Sequence, residues 1–172
     1  MRLLIDTREQ KPLEFKDGVF SSIGFEGLPF GDYWAEIDGK QIPLAFERKS
    51  KEDLFGTLGS GMTRFKNEIS RAKENNFTLI LVIECSMKEV FDGTRYSTIK
   101  GESILKRLAS LRVRYDLEYH FFNDRRESAR FIEDIFEAVG RNWKRPDAVG
   151  VTPLPCRQED TGSQGSGAEL PG

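Results

Sequence analysis

Residues 77–84 constrain the fold more than any other stretch, because their sequence, Phe-Thr-Leu-Ile-Leu-Val-Ile-Glu, is almost continuously apolar. A strand with one face in water alternates apolar and polar residues, whereas a strand covered on both faces does not. The run is far shorter than the roughly 18 apolar residues of a membrane span. We therefore predict a central strand in a sheet that is covered on both faces.

The neighbouring segments supply more strands for this sheet. They are predicted over 2–6, 34–38, 42–48 and 117–122. The Asp38-Gly39 pair between two apolar runs is typical of a tight hairpin turn. Residues 13–31 are rich in glycine, and we expect a loop there with a short extended piece.

Apolar residues at helical spacing indicate the other layers of the fold. Helices are predicted from Ser50 to Phe55 and over 62–75, 101–115 and 124–144, with residues 86–99 as a mixed connection. The long last helix opens with an Asp-x-x-Glu capping pattern and carries more apolar surface than one sheet contact needs. That surface covers either the far side of the core or a second subunit. The predicted fold class is α/β, a central mixed sheet flanked by helices.

Composition divides the 172-residue chain into one domain, residues 1–145, and a tail, residues 146–172. The tail holds four of the seven prolines and five of the sixteen glycines, and it shows no apolar periodicity. Such a sequence buries too little apolar surface to fold by itself, so we expect it to be disordered.

Charge and cysteine content exclude several classes of protein. The net charge of −2 argues against a strongly basic nucleic-acid binder. Cys85 and Cys156 are far apart in unlike settings, which argues against a disulfide framework or a zinc site. The first residues turn acidic too soon for a signal peptide, and no apolar run would span a membrane. We expect a cytoplasmic protein, or a nuclear one in a eukaryote.

Three acidic residues, Asp6, Asp32 and Glu47, lie at or just before predicted strand ends. Strand ends of one sheet can converge, and clustered carboxylates suit Mg²⁺ or Mn²⁺ rather than zinc. Glu47 and Lys49 share one face of their strand because side chains alternate, and Arg48 points to the other face. Asp…Glu-x-Lys is the arrangement of PD-(D/E)XK nucleases, in which a metal activates water beside a phosphate.

Other interpretations of these residues stay open at this point. Acidic residues are common at strand ends, and Glu-x-Lys is too short to be specific. Asp53 fits the N-terminal cap of the helix that begins at Ser50. A small-molecule or protein-binding α/β domain with an incidental acidic cluster is the alternative to a nuclease.

A resemblance to a known family separates these interpretations. Glu47-Arg48-Lys49 followed by Asp53 resembles the Glu-Arg-Lys-x-x-x-Asp signature of the XPF-type structure-specific endonuclease family. Residues 4–9, Leu-Ile-Asp-Thr-Arg-Glu, are similar to the family's first strand, and residues 28–33, Leu-Pro-Phe-Gly-Asp-Tyr, to its Leu-Pro-x-Gly-Asp-Tyr segment. Arg64 and Glu68 fall where the family has an arginine and, four residues on, a glutamine or similar residue. The resemblance covers residues 1–143 in order.

The resemblance implies a restriction-endonuclease-like fold and a metal-dependent DNA endonuclease that cuts flaps, forks and similar junctions. It makes Asp32 and Glu47 ligands of Mg²⁺ or Mn²⁺, with Asp6 helping to bind the metal or its water and Glu9 assisting. Lys49 is then the essential lysine. The catalytic set on this view is Asp6, Asp32, Glu47 and Lys49.

The same resemblance implies supporting roles and partners. Arg48 is a structural or phosphate-side residue, and Asp53 steadies Arg48 or caps the helix. DNA contacts are expected from Arg8, Arg64, Lys66 and Arg71. A homodimer is expected, or a partner protein that supplies a duplex-binding module, in a prokaryotic or viral setting. The alternative within the family is a catalytically silent DNA-binding or scaffold subunit, which the intact acidic residues disfavour.

Overall fold

The computed structural model describes residues 1–143, which form one seven-stranded sheet with helices on both faces. The strands are β1 (Arg2–Asp6), β2 (Ser22–Glu26), β3 (Tyr33–Ile37), β4 (Lys40–Gln41), β5 (Leu44–Lys49), β6 (Thr78–Ile83) and β7 (Glu118–Phe121). The helices are α1 (Lys51–Leu58), α2 (Met62–Glu74), α3 (Met87–Asp92), α4 (Gly101–Tyr115) and α5 (Arg125–Asn142). This is the mixed α/β architecture that the sequence predicts.

Strand direction decides where the functional residues gather. The sheet order is β2-β1-β3-β5-β6-β7, with β4 paired to β3. β3 runs antiparallel to β1 and β5, whereas β5, β6 and β7 are parallel to one another. The ends of β1, β5 and β6 therefore lie at one edge of the sheet, together with the start of β3.

Each face of the sheet has its own apolar core. Alternate residues of β6 divide between them, with Leu81 in the core under α1, α2 and α4, and Val82 in the core under α5. Residues 79–83 are all buried, which confirms a central strand covered on both faces. The extra apolar residues of α5, including Phe131 and Phe136, pack in the second core, so the far side of the sheet accounts for them.

Local sequence signals account for most element boundaries. The hairpin turns at Asp38 and Gly39, both with left-handed φ (51° and 74°), as expected for a two-residue Asp-Gly loop. β2 is the extended piece expected within 13–31. The mixed connection predicted over 86–99 contains a short helix, α3, which was not predicted by itself. Its signal was present: Ser86 and Glu89 form a reciprocal capping box.

The tail predicted over 146–172 lies outside the described residues. Among residues 1–143, none of the helices combines the length and the apolar content that crossing a membrane requires.

Candidate active site

The end of β5 presents an acid–lysine pair on one face, as its alternation predicts. Lys49 Nζ donates a hydrogen bond to Glu47 Oε1 on the face of the sheet that carries α1 and α2. Both side chains are largely buried, with 6% of Glu47 and 16% of Lys49 exposed. A carboxylate and an ammonium are thus held together where the strand ends and α1 begins.

Asp32 joins this pair from the neighbouring chain segment, just before β3. Its Oδ2 accepts a hydrogen bond of 2.7 Å from the Arg48 amide, and its own amide donates to Phe46 O at 2.7 Å. The preceding residue, Gly31, has a left-handed φ of 66°, and a Cβ there would lie 3.1 Å from Phe46 O. Glycine therefore lets the chain approach β5 closely enough to bring Asp32 beside the strand end.

These three residues open into a cleft of about 760 Å³. Its charged lining is nearly balanced between six basic and five acidic residues. The basic ones are Arg8, Lys11, Arg48, Lys49, Arg64 and Arg71. The acidic ones are Glu9, Asp32, Glu47, Asp53 and Glu68. A divalent cation at the acidic floor would leave the cleft clearly positive, which is the polarity that a phosphodiester needs.

The acidic floor consists of two carboxylates in a poorly solvated place. Burial raises the pKa of the Asp32 carboxyl to about 6, although Lys49 and the Arg48 amide lower it. Burial, together with the charge of Asp32, raises the pKa of Glu47 well above its ordinary value. One lysine does not offset two buried carboxylates, so this floor suits an additional cation.

The same surroundings also raise the pKa of Lys49, but for a different reason. Burial lowers its pKa, but the charges of Glu47 and Asp32 outweigh burial, so that the pKa of Lys49 lies above its ordinary value. The amine is therefore protonated at neutral pH. It can donate hydrogen bonds and neutralise negative charge, and it cannot serve as a general base there.

Arg48 occupies the opposite face of β5 and is bound there by two carboxylates. Its Nε and Nη2 donate to Glu9 at 3.0 and 2.9 Å, and its Nη1 donates to Glu84 at 2.8 Å. The two salt bridges are buried, with 8% of the Arg48 side chain exposed. Glu9, predicted to assist the metal, is thus engaged with Arg48, although it still borders the cleft.

Asp6, predicted to help bind the metal or its water, lies behind the cleft. Its Oδ1 accepts from the Arg8 amide and Nε at 2.7 and 2.9 Å, and its Oδ2 accepts from Arg8 Nη2 and the Leu28 amide. Asp6 is 1% exposed and does not line the cleft. Its amide donates to Asp32 O at 2.9 Å. Its carboxylate therefore holds the 28–32 segment in place, and Arg8 and the Leu28 amide engage both of its oxygens.

The donor set for a cation is correspondingly small. Within residues 1–143, no group of three or more acidic, histidine or cysteine side chains is arranged to hold a metal ion. Asp32 and Glu47 form a pair of hard oxygen donors, the kind that Mg²⁺ and Mn²⁺ accept while keeping several waters. The residues present fit such an ion, with two side-chain ligands rather than three.

Asp53 takes the second of its two predicted roles, and Lys66 lies away from the cleft. The Ser50 hydroxyl donates to Asp53 Oδ2 at 2.7 Å and accepts from the Asp53 amide at 3.2 Å, so Asp53 belongs to the cap of α1. It does not steady Arg48, which Glu9 and Glu84 hold. Lys66, predicted to bind DNA, lies outside the cleft and lines a separate depression with Arg107.

The other predicted DNA-binding residues do border the cleft. Arg64 and Arg71 are seven residues apart on α2 and form one wall. Arg8 pairs with Asp6 but leaves 70% of its side chain exposed at the rim. Between the two arginines of α2, Glu68 Oε1 accepts from the Gly31 amide at 3.1 Å.

Glu68 and Glu84 are the site residues that the predicted set omitted. Glu68 had a signal, because helical spacing from Arg64 to Arg71 places it on the same wall. Glu84 ends the apolar run that begins at Phe77, and only the parallel pairing of β5 with β6 places it beside Arg48.

Comparison with known proteins identifies the family. A family model described as the ERCC4 domain matches residues 5–135, which is most of the chain. The chain belongs to this family. The match confirms the XPF-type resemblance, so residues 5–135 carry the nuclease domain of a structure-specific DNA endonuclease family. No curated protein sequence matches the chain.

Solved structures support the fold. XPF from Aeropyrum pernix is similar with a TM-score of 0.63 and 21% identity, over 82% of this chain and 66% of that one. The same protein in complex with DNA gives a TM-score of 0.58 and 20% identity, over 86% of this chain and 68% of that one. The chain thus spans about two thirds of the structures it matches. At this level of identity, the comparison with solved structures confirms the fold of this chain.

Proposed function

We propose that this ERCC4 domain protein is a divalent-metal-dependent DNA endonuclease that hydrolyses phosphodiester bonds at junctions such as flaps and forks. One observation carries the proposal: Asp32, Glu47 and Lys49 come from separate positions in the chain and meet in one cleft walled by arginines. A subunit that only binds DNA does not require this convergence.

Asp32 and Glu47 would hold Mg²⁺ or Mn²⁺, which when bound lowers the pKa of its water and polarises the phosphate. The protein's own residues act around that centre. Lys49, kept protonated by Glu47 and Asp32, donates to a phosphate oxygen or orients the attacking water. Arg64 and Arg71 on α2 hold the neighbouring phosphates of the strand.

Additional grip on duplex DNA would come from a second copy of the chain or from a partner protein. The near-balanced charge of the cleft supports this part of the proposal, because few net positive charges give weak electrostatic affinity for DNA. Light scattering over a range of concentrations tests the homodimer, and a constant monomer mass would exclude it.

Cleavage of an end-labelled substrate panel tests the central proposal. Flap, fork, plain duplex and single-stranded DNA are incubated with Mg²⁺, Mn²⁺ or EDTA. We expect cleavage near the junction of the flap or fork with either metal, and none with EDTA. Asp32→Asn and Glu47→Gln should bind the same DNA without cutting it. Binding without cleavage by the wild type would favour the alternative, a catalytically silent DNA-binding or scaffold subunit.

A further inference from the structure

The end of β6 contributes a buried carboxylate behind the active site. Glu84 directly follows the strand, and its amide donates to Lys49 O at 2.9 Å. Its Oε2 accepts from Arg48 Nη1 at 2.8 Å, and 6% of its side chain is exposed. Glu84 is therefore bound to both residues that follow Glu47, one through its backbone and one through its side chain.

The environment of Glu84 does not maximise stability. Its Oε1 is buried and has no hydrogen-bond partner within the described part of the chain. A buried polar atom without a partner is costly, and most such atoms in folded proteins find one. The hydrogen-bonding capacity of Glu84 is thus directed to one group, the guanidinium of Arg48, with Arg125 Nη1 farther away at 3.5 Å.

Arg48 transmits this anchor to the cleft. The Arg48 side chain lies on the face of β5 opposite Glu47 and Lys49. The Arg48 amide, however, donates a hydrogen bond of 2.7 Å to Asp32 Oδ2 in the cleft. Its chain neighbours Glu47 and Lys49 form the acid–lysine pair. Fixing the Arg48 side chain between Glu9 and Glu84 therefore fixes the peptide that sets all three active-site groups.

We propose that Glu84 is a positioning residue of the active site, which holds Arg48 and through it Asp32 and Lys49 in the geometry needed for cleavage. Glu84 does not line the cleft and has no route to DNA or metal. The inference rests on the proposed function for its effect on rate. The positioning itself is a property of the protein alone.

Arg125 forms the outer end of the same anchor. From the start of α5, its Nη2 donates to Lys11 O at 2.7 Å and Pro12 O at 2.9 Å. It thereby connects Glu84 to the segment that carries Glu9 past the cleft. With 43% of its side chain exposed, Arg125 should matter less than Glu84.

The test compares Glu84→Gln with Glu133→Gln. Glu133 is another carboxylate with a buried side chain, 3% exposed against 6% for Glu84, and it accepts from the Lys16 amide, far along the chain from Arg48. We expect Glu84→Gln to slow single-turnover flap cleavage by about 10- to 100-fold without changing the Kd for DNA, because small displacements of reacting groups are costly. Glu133→Gln should cleave at the wild-type rate. Wild-type cleavage by Glu84→Gln, or equal slowing in both variants, would overturn the proposal.

A second readout does not require cleavage. Hydrogen exchange at the Arg48 amide reports its bond to Asp32 directly. Glu84→Gln should speed exchange at Arg48 by at least tenfold relative to β6 amides, and Glu133→Gln should not. If the wild type cuts no DNA, the proposed function fails, and unchanged exchange at Arg48 would overturn the positioning role independently.

Glu84→Asp is a second variant that tests the proposal even if Glu84→Gln does not fold. Glu84→Asp keeps the negative charge beside Arg48 but withdraws the carboxylate by one methylene group. We expect it to fold and to show intermediate losses of cleavage rate and of Arg48 protection. Full activity with full protection in this variant would contradict a role that depends on position.

Discussion

The two faces of β5 at its end carry similar charges in different arrangements. On the front face, Glu47 and Asp32 share one lysine, and burial raises the pKa of both carboxyls. On the back face, Arg48 forms buried salt bridges with Glu9 and Glu84. On the front face, two carboxylates share the single positive charge of Lys49. On the back face, Arg48 is fixed by a salt bridge to each of two carboxylates.

This difference separates the binding of a cation from the maintenance of geometry. Like charges forced together are unfavourable in the protein alone and become favourable when a metal or a phosphate-bound metal enters. The salt-bridged ions on the back keep the same strand end rigid while that happens. Sites that break local rules of stability are where function is expected.

The largest expected effect comes from removing the lysine of the front face. Lys49→Ala should reduce flap cleavage by about 100- to 1000-fold while leaving the Kd for DNA within about twofold, because Lys49 stabilises developing charge at one phosphate. Single-turnover kinetics and fluorescence anisotropy measure the two quantities. The matched control is Lys51→Ala, two residues along at the start of α1 and outside the cleft lining, which should cleave normally. Equal losses of binding and cleavage in Lys49→Ala would indicate a DNA anchor.

A smaller effect, on DNA binding, is expected from the arginines of α2 and tests which side of that helix contacts the DNA. Arg64 lines the cleft and Lys66, two residues later on α2, does not. Arg64→Ala should weaken DNA binding by about tenfold and reduce the slope of log Kd against log salt by about one, as loss of one phosphate contact does. Lys66→Ala should change neither. The reverse ranking would mean that DNA crosses the other side of α2.

Replacing Asp6 and replacing Asp32, which lie at the same edge of the sheet, should change the stability of the protein in opposite directions. Asp6 is bound by Arg8 and the Leu28 amide, and although burial raises its pKa, these hydrogen bonds bring it below the ordinary value. Asp6→Asn should therefore lower the Tm by about 6 °C, or roughly 2 kcal/mol. Asp32→Asn removes a poorly solvated charge and should raise the Tm of the metal-free protein by about 3 °C. Thermal unfolding at pH 7.5 in EDTA measures both, and a loss of stability in Asp32→Asn would contradict an unfavourable front face.

The pH dependence of cation binding should follow the same asymmetry. The folded pKa of Asp32, about 6, exceeds the ordinary value of 3.8, so this group's contribution to stability falls as pH rises between those values. A cation must displace the proton, and its affinity should therefore rise with pH. We expect Mn²⁺ to bind about tenfold more tightly at pH 7.5 than at pH 5.0, as measured by calorimetry. The pKa of Asp6 lies below its ordinary value, so Asp6 stays ionised and paired with Arg8 at every pH above that value. Asp6 should therefore not contribute to this change.

Much of the candidate site was predictable because its residues lie in short, regular segments. Alternation along residues 44–49 was enough to place Glu47 with Lys49 and Arg48 opposite them. The Ser50-x-x-Asp53 pattern predicted the start of α1, and the structure shows Ser50 as its cap. The pattern around Asp6 was ambiguous, because a carboxylate at a strand end looks the same in sequence whether it binds a metal or an arginine.

The sequence by itself determined the element types, the mixed α/β class and the side of β5 on which each charged residue lies. These depend on repeats of two and about 3.6 residues, which act locally. Only the tertiary structure decided that Asp6 binds the Leu28 amide, that Glu9 and Glu84 bind Arg48, and that Lys66 lies outside the cleft. Those outcomes depend on which strands become neighbours and how closely Gly31 lets two segments approach. Electrostatic partners are chosen by distance in space, and residues 36 positions apart, such as Arg48 and Glu84, meet only once the sheet has formed.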